Sequence, residues 1–345
     1  MDWVINIVMV LLSFFVSSVP ILMYIWFVWW LDHHDREPLL LIAVAFFWGA
    51  IASIAISLVF EVLFGLPLLL FSEDVQKVAN YVVLAPVIEE LAKSVILFAL
   101  FFHPRFNRIL DGVVYGAVIG FGFAASENLM YYVSTYFSQG VGIWAIVVIL
   151  RTMFTSVGHA VFTSITGSGV ALMKFSRQRW MRFVFPPMAL LTAVVLHSVF
   201  NFGAVMTELS SLLFFFISIV IVFFGLTVVG IAMFLGLHDE ESCIHERLAE
   251  EVRSGVVTSG EYEIVPGYLR RRAASFRILS RHGYEKYRLS ARLFDYELDL
   301  AFTKDEMAKA PDGRRQKDLL KRVNELRDAV RRTRGNLGDA ASMLK

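Results

Sequence analysis

The sequence predicts an all-α protein: a polytopic membrane helix bundle of about seven transmembrane helices, followed by a C-terminal helical cytoplasmic domain. Three observations carry that expectation. Hydrophobic residues make up 57% of the chain and charged residues 18%, where soluble domains carry roughly 45–50% and about 25%. Apolar runs of the roughly 20 residues needed to cross a bilayer core in helical form recur seven times before the tail. Charge is segregated: of 32 Lys and Arg residues, 10 precede Leu237 and 22 follow it. The net charge of +1 averages two dissimilar parts and says nothing about partners.

The first apolar run, Trp3–Leu31, opens on MDW without a basic n-region and is longer than a signal-peptide core, so it reads as a retained span. The second, Pro38–Leu63, carries Glu61 near its outer end. A carboxylate there snorkels to the headgroups, and no role is expected for it. Gln76–Phe102, Ile109–Tyr136, Gly142–Met173, Phe183–Met206 and Leu212–Leu237 follow. The loops then set the orientation. Arg36, Arg105, Arg108, Lys174, Arg177, Arg179 and Arg182 fall in odd-numbered loops, while the even-numbered loops hold only Lys77. The positive-inside rule places the odd loops and the tail in the cytoplasm and Met1 outside the cell membrane. The chain thus divides into a membrane domain over residues 1–237 and a charged tail over 238–345.

In the tail, apolar residues recur at three- and four-residue spacing among charges, the pattern of amphipathic helices. Gly255, Gly260, Pro266, Gly283, Pro311 and Gly313 punctuate it into four helices. Arg270–Arg272 could lie against anionic headgroups, each contributing about 1 kcal/mol, but a solvated helical face is the expectation. The tail has no metal-ligand cysteine pair, phosphate loop or interleaved basic and aromatic surface, so no nucleic-acid partner is expected. Cys243, the only cysteine, excludes an internal disulfide.

The informative residues are polar ones within the spans. An ionisable side chain at mid-span costs about 2.5–3.5 kcal/mol even on lenient insertion scales, so it faces a protein interior and points to function. Glu89 and Glu90 lie about thirteen residues, roughly 20 Å, from either end of the third span, at the bilayer midplane. Lys93 follows them by four and three residues and can pair with either along one helix face. Pro86, one turn earlier, removes a backbone hydrogen bond and predicts a kink beside the carboxylates. An ion pair that merely joins helices would account for one glutamate and leave the other.

In the fourth span Gly116, Gly120 and Gly122, with Ala124 and Ala125, make a small-residue face for close helix approach. Glu127 and Asn128 follow it, and packing needs no carboxylate. The fifth span carries Arg151 and His159; the sixth carries His197 and Asn201 one turn apart. A lone buried histidine is usually a satisfied core residue. Two at similar depth on separate helices, opposite three glutamates, mark a site. Glu127 and His197 each lie about 13 Å from the outer end of their span, so the site should open on the extracytoplasmic side.

EELAK at Glu89–Lys93, FGFAASEN at Phe121–Asn128, SVGHAVFTSITG at Ser156–Gly167 and HSVFN at His197–Asn201 together resemble PrsW-type intramembrane proteases, distant relatives of CAAX- and bacteriocin-processing membrane endopeptidases. DHHDREP at Asp32–Pro38 and DGVVYGAVIGFGFA at Asp111–Ala124 also resemble that family's patterns. Leu39 departs from them, standing where a second Glu often follows Glu37-Pro38. The resemblance covers about Trp30 to Ala204 and leaves out the tail. It implies peptide-bond hydrolysis within or beside the lipid bilayer, on membrane-anchored protein substrates such as anti-sigma factors.

Two schemes fit the catalytic candidates. In the metal-free one, preferred on the sequence, Glu89 aided by Glu90 or His159 activates water and Lys93 holds the pair in register. His197 and Asn201 then supply oxyanion donors. In the other, Glu127, His159 and His197 form a His₂Glu zinc set with Glu89 or Glu90 as base, although H-E-x-x-H spacing is absent. Outside catalysis, buried Glu, His, Lys and Arg also build the proton relays of transporters, against which stands the lack of an evident inverted repeat. A membrane scaffold whose tail recruits partners is the third reading.

Overall fold

The computed structural model describes residues 2–31, 37–103, 106, 108–175, 179–310 and 313–344. Among the described residues the chain is helical, with no strand. It forms two compact units, Met1–Phe234 and Leu235–Lys345. The first contains α1 (Asp2–Leu31), α2 (Leu39–Phe47), α3 (Ile54–Gly65), α4 (Glu73–Val78), α5 (Ala85–Phe101), α6 (Ile109–Leu150), α7 (Ser156–Phe175), α8 (Arg179–Leu209) and the start of α9 (Phe215–Arg253). Of the basic residues that set the orientation, Arg36, Arg105 and Arg177 lie outside the described residues, as do the Asp32–Arg36 part of DHHDREP and the side chains of Lys174 and Arg179.

Among the described residues, five helical runs are long and apolar enough to cross a membrane by length and composition: Trp3–Leu31, Leu39–Leu70, Ile109–Met173, Trp180–Leu209 and Leu212–Arg253. The sequence predicts seven spans, and the difference has two physical causes. The Ile109–Met173 run holds 65 residues, about 100 Å of helix against a bilayer core of about 30 Å. It breaks at Gly140, whose φ of 79° is open to glycine at no steric cost. The two arms then pack together. A methyl group at Gly112, Gly116 or Gly120 would overlap the backbone at Gly167, Thr163–Ser164 or His159–Ala160. Each pair lies equally far from Gly140 to within one residue, which is the register of two antiparallel arms folded at that glycine. The second cause is the Glu73–Phe101 segment: it is helical throughout, but Lys77, Glu89, Glu90 and Lys93 lower its apolarity.

The arm of α6 from Leu110 to Ala125 is buried along its whole length and forms the centre of the bundle. Its other small-residue face receives α2 and the following turn, where Gly122 meets Phe46 and Gly49 meets Ile119. The periphery is apolar and outward-facing: Trp3, Phe15, Met23 and Trp26 of α1 are each more than half exposed, as a lipid-facing surface requires.

Among the described residues, three π-helical turns interrupt the spans, over Trp48–Ser53, Ala79–Leu84 and Arg151–Thr155. The second ends just before Pro86. A proline ring clashes with the carbonyl four residues back and offers no N–H, and the wider π register absorbs both, so α5 starts cleanly with Pro86 in its first turn.

In the second unit α10 (Ser259–Ile264), α11 (Tyr268–Lys309) and α12 (Arg314–Leu337) surround a core that includes Ile244, Leu248, Ile278, Leu293 and Val330. Gly255, Gly283 and Gly313 adopt positive φ at the breaks predicted from sequence. Gly260 does not break a helix. It lies inside α10, which begins at a capping box in which Thr258 and Glu261 each satisfy the other's backbone N–H. Pro311 is outside the described residues. Arg270 and Arg272 are exposed, but Arg271 turns inward and donates to the Val265 carbonyl, so the three do not share one face.

Candidate active site

Lys93 organises the centre. It is fully buried, and its ammonium has three near neighbours: Glu90 Oε1 at 2.9 Å, His159 Nδ1 at 2.9 Å and Glu89 Oε2 at 3.3 Å. The nitrogen also stands 3.9 Å from the centroid of the Phe123 ring. An ammonium has three N–H donors and all three are used, so His159 Nδ1 accepts. Nε2 of the same ring then carries the proton and donates to Glu127 Oε2 at 2.7 Å.

His197 repeats the arrangement. Its Nδ1 donates to Glu90 Oε1 at 3.0 Å, which leaves the Nε2 lone pair facing inward. His159 Nδ1 and His197 Nε2 each lie 3.9 Å from Glu89 Oε2. Both imidazoles therefore have a carboxylate behind them and Glu89 in front. The rings meet edge to face at 5.0 Å, and Phe162 stacks on His197.

The two adjacent glutamates differ in exposure. Glu90 accepts from Lys93, His197 and Thr163 Oγ1, and its side chain has no exposed surface. Glu89 keeps 9% side-chain exposure and uses only Oε2 in these contacts. Glu90 is thus the fixed member, and Glu89 the one that a water or substrate atom can reach.

The sequence-predicted residues are placed as follows. Glu89, Glu90, Lys93, His159 and His197 converge from α5, α7 and α8. Glu127 of α6 joins them one layer out, through His159. As a candidate metal ligand beside the two histidines, Glu127 gives way to Glu89: ligand atoms of Glu89, His159 and His197 all lie within 4.8 Å of one another. The cause is Arg151, whose Nη2 is 2.9 Å from Glu127 Oε2 and draws that carboxylate outward. Asn201 does not reach the centre. Its Nδ2 donates to the Tyr81 carbonyl at 2.9 Å, so it pins α8 to the second π-helical turn and is not aimed at an oxyanion.

The sequence alone assigns no role to Arg151, Thr163 or Glu61. Arg151 pairs with Glu127, donates from its Nε to Asn128 Oδ1 at 2.9 Å, and lies over the Tyr131 ring. Thr163 supports Glu90. Glu61 is half-buried and lines a cleft beside Asn80. A signal for Glu61 existed. Gly49, Ser53, Ser57 and Glu61 recur every four residues, and the first three are buried, which marks the inward stripe of that helix.

These helices define a membrane-embedded helix bundle with a buried cluster of carboxylates and histidines, and known proteins narrow its class. Residues 37–228 match the PrsW family intramembrane metalloprotease. The Protease PrsW of Clostridioides difficile (strain 630) is 30% identical over 190 residues, covering 55% of this chain and 77% of that protein. The Protease PrsW of Bacillus subtilis (strain 168) is 26% identical over 191 residues, covering 53% and 78%. No solved structure matches the chain. The chain belongs to the PrsW family and is a multi-pass intramembrane protease.

Proposed function

We propose that the chain is an endopeptidase that cleaves membrane-anchored proteins, with Glu89, His159 and His197 as the donors of a catalytic metal centre. The observation that carries this is the pair of imidazoles, each with a carboxylate on its outer nitrogen and Glu89 Oε2 at 3.9 Å from its inner one. That donor set is the His₂Glu combination of catalytic zinc sites, and a carboxylate behind a ligating histidine is the usual outer support. Charge fits as well. Glu89, Glu90 and Glu127 against Lys93 and Arg151 leave one buried negative charge, which a cation or a proton must meet. Bound there, a zinc ion would polarise the scissile carbonyl and acidify a water.

The protein's own groups carry the rest. Glu90 and Glu127 hold the two imidazoles in the tautomers that present lone pairs inward. Glu89 Oε1, outside the contacts with Lys93 and the histidines, takes a proton from water as its oxygen adds to the peptide carbonyl carbon. The C–N bond then breaks, and Glu89 returns the proton to the leaving nitrogen. The favoured topology has the N-terminus outside and the tail cytoplasmic, with membrane-bound regulators such as anti-sigma factors as candidate substrates. One observation favours a metal-free variant of the same chemistry: Lys93 already occupies the His159 Nδ1 lone pair. Glu89→Gln tests both versions. In proteoliposomes with a membrane-anchored test substrate it should lower the cleavage rate about 10²–10⁴-fold with folding intact. Cleavage at the wild-type rate would remove Glu89 from the chemistry.

A further inference from the structure

Charge is unevenly spread along the tail. After Leu237 the chain carries 22 basic and 19 acidic residues, yet the arm of α11 from Tyr268 to His282 holds five arginines and no acidic residue. Gly283, at a φ of 80°, ends that arm. α12 is basic too, but its charges are answered locally: Lys321 and Arg322 face Glu325, and Arg331 faces Asp328. On the α11 arm, Arg272, Arg277 and Arg281 make no ion pair with any described residue.

The inward face of the arm is built from Ala274, Ser275 and Ile278, with Arg271 turned to the Val265 carbonyl. The outward face is not simply polar. Leu269 and Phe276, two turns apart, are 78% and 67% exposed and share a stripe with Ala273. Arg272 borders that stripe on one side, and Arg270, Arg277 and Arg281 border it on the other. Arg270 spends part of its guanidinium on the Glu263 carbonyl at 3.0 Å. Among the described residues after Leu237, the other exposed large apolar side chains are Tyr284 and Leu320. The exposed apolar surface of the tail therefore concentrates where its unpaired positive charge does.

An apolar stripe edged by arginines fits a boundary that is oily on one side and anionic on the other. A bilayer with anionic headgroups offers both: acyl chains for Leu269 and Phe276, and phosphates for the guanidinium groups, whose alkyl stems cover the step between them. The tail is also held there covalently. α9 contains the last apolar run and continues to Arg253, and about 30 residues of chain separate Leu237 from Tyr268. Tethering of this kind keeps the effective concentration of the surface high.

We infer that the Tyr268–His282 arm lies in the headgroup layer of an anionic bilayer, with Leu269 and Phe276 inserted toward the acyl chains and Arg272, Arg277 and Arg281 on lipid phosphates. The inference is independent of the protease reading. Cys243 is the only cysteine, so Ala273→Cys in a Cys243→Ser chain takes a single NBD label in the middle of the stripe. The full-length protein is placed one copy per nanodisc, in phosphatidylcholine alone or with about one quarter phosphatidylglycerol, with and without lipid brominated on its acyl chains. With phosphatidylglycerol the label should shift to the blue and be quenched by the brominated chains, and about 1 M salt should reverse much of both effects. Arg277→Gln and Arg281→Gln should each lower the docked-to-free ratio about fivefold, the worth of one basic residue near the surface, and Phe276→Ser should weaken the quenching further. A label at Lys321→Cys, on the exposed side of α12, should respond to neither lipid. Quenching that is the same in both lipids, absent from both, or equal at position 321 would overturn the inference. So would a label that ignores phosphatidylglycerol and shifts on adding an acidic peptide or an oligonucleotide, which would assign the face to a soluble partner.

Discussion

The Lys93 ammonium lies 2.9 Å from His159 Nδ1, on the lone pair that a metal ion at this centre would use. The same nitrogen holds Glu89 and Glu90 in place, so a single buried charge both assembles the site and competes for its ligand.

Replacing Lys93 separates those two roles. Lys93→Met leaves two buried carboxylates without their cation, a change that costs about 3–5 kcal/mol when one partner of a buried pair is removed. Thermal unfolding in detergent should show a large drop without zinc and a partial recovery with it, since an ion that binds only the folded state stabilises it. A drop that zinc does not reduce would mean that Lys93, and not a metal, is the cation this site is built around.

Glu127 acts through His159. Glu127→Gln keeps the shape but weakens the hydrogen bond that fixes the Nε2 proton, and leaves Arg151 without its carboxylate. Zinc titration against a competing chelator should show an affinity about 10–100-fold lower, the usual effect of losing an outer-shell partner. Unchanged affinity would return Glu127 to a purely structural role.

Much of this centre is legible in the sequence, and the reason is periodicity. Glu89, Glu90 and Lys93 share one face by their three- and four-residue spacing, and the structure joins all three. Depth along each span is equally readable, which is why His159 and His197 could be matched across helices. Rotation about the helix axis is not readable. Whether Glu89 or Glu127 stands in front of the histidines depends on how α5 and α6 are turned relative to α7, and on Arg151, a residue whose partner no spacing reveals. Asn201 follows the same rule: it shares a face with His197, but the π-helical turn brings the Tyr81 carbonyl within its reach first. The fold shows a similar division. Gly116, Gly120 and Gly122 announce close helix contacts, while the partner and register of the first two follow only from the chain reversal at Gly140.

The tail offers a prediction of its own. Burial, with the negative charge of Glu261 beside it, pushes the Glu297 carboxyl well above the ordinary carboxylate range. The folded unit therefore holds that proton more tightly than the unfolded chain does. This contribution is fully present below the unfolded value of about 4.3 and is lost as pH rises through the folded value. Glu297→Gln, neutral at every pH, should raise the tail's unfolding temperature at pH 8 by at least about 4 °C, the shift that about 1 kcal/mol produces in a domain of this size. At pH 4 the two proteins should unfold together. Scanning calorimetry of the full chain at both pH values checks the sign, and a variant less stable at pH 8 would show that Glu297 is ionised in the folded unit.

The metal content of the purified protein tests the central assignment most directly. Elemental analysis of active protein in detergent, alongside His197→Ala, should find a divalent transition metal, zinc by its donor set, bound stoichiometrically in the wild type and absent from the variant. Chelation should abolish cleavage of the test substrate, and zinc should restore it. Full cleavage by protein free of metal would contradict the metal centre and leave Glu89, with Lys93 on His159, as the whole of the catalytic apparatus.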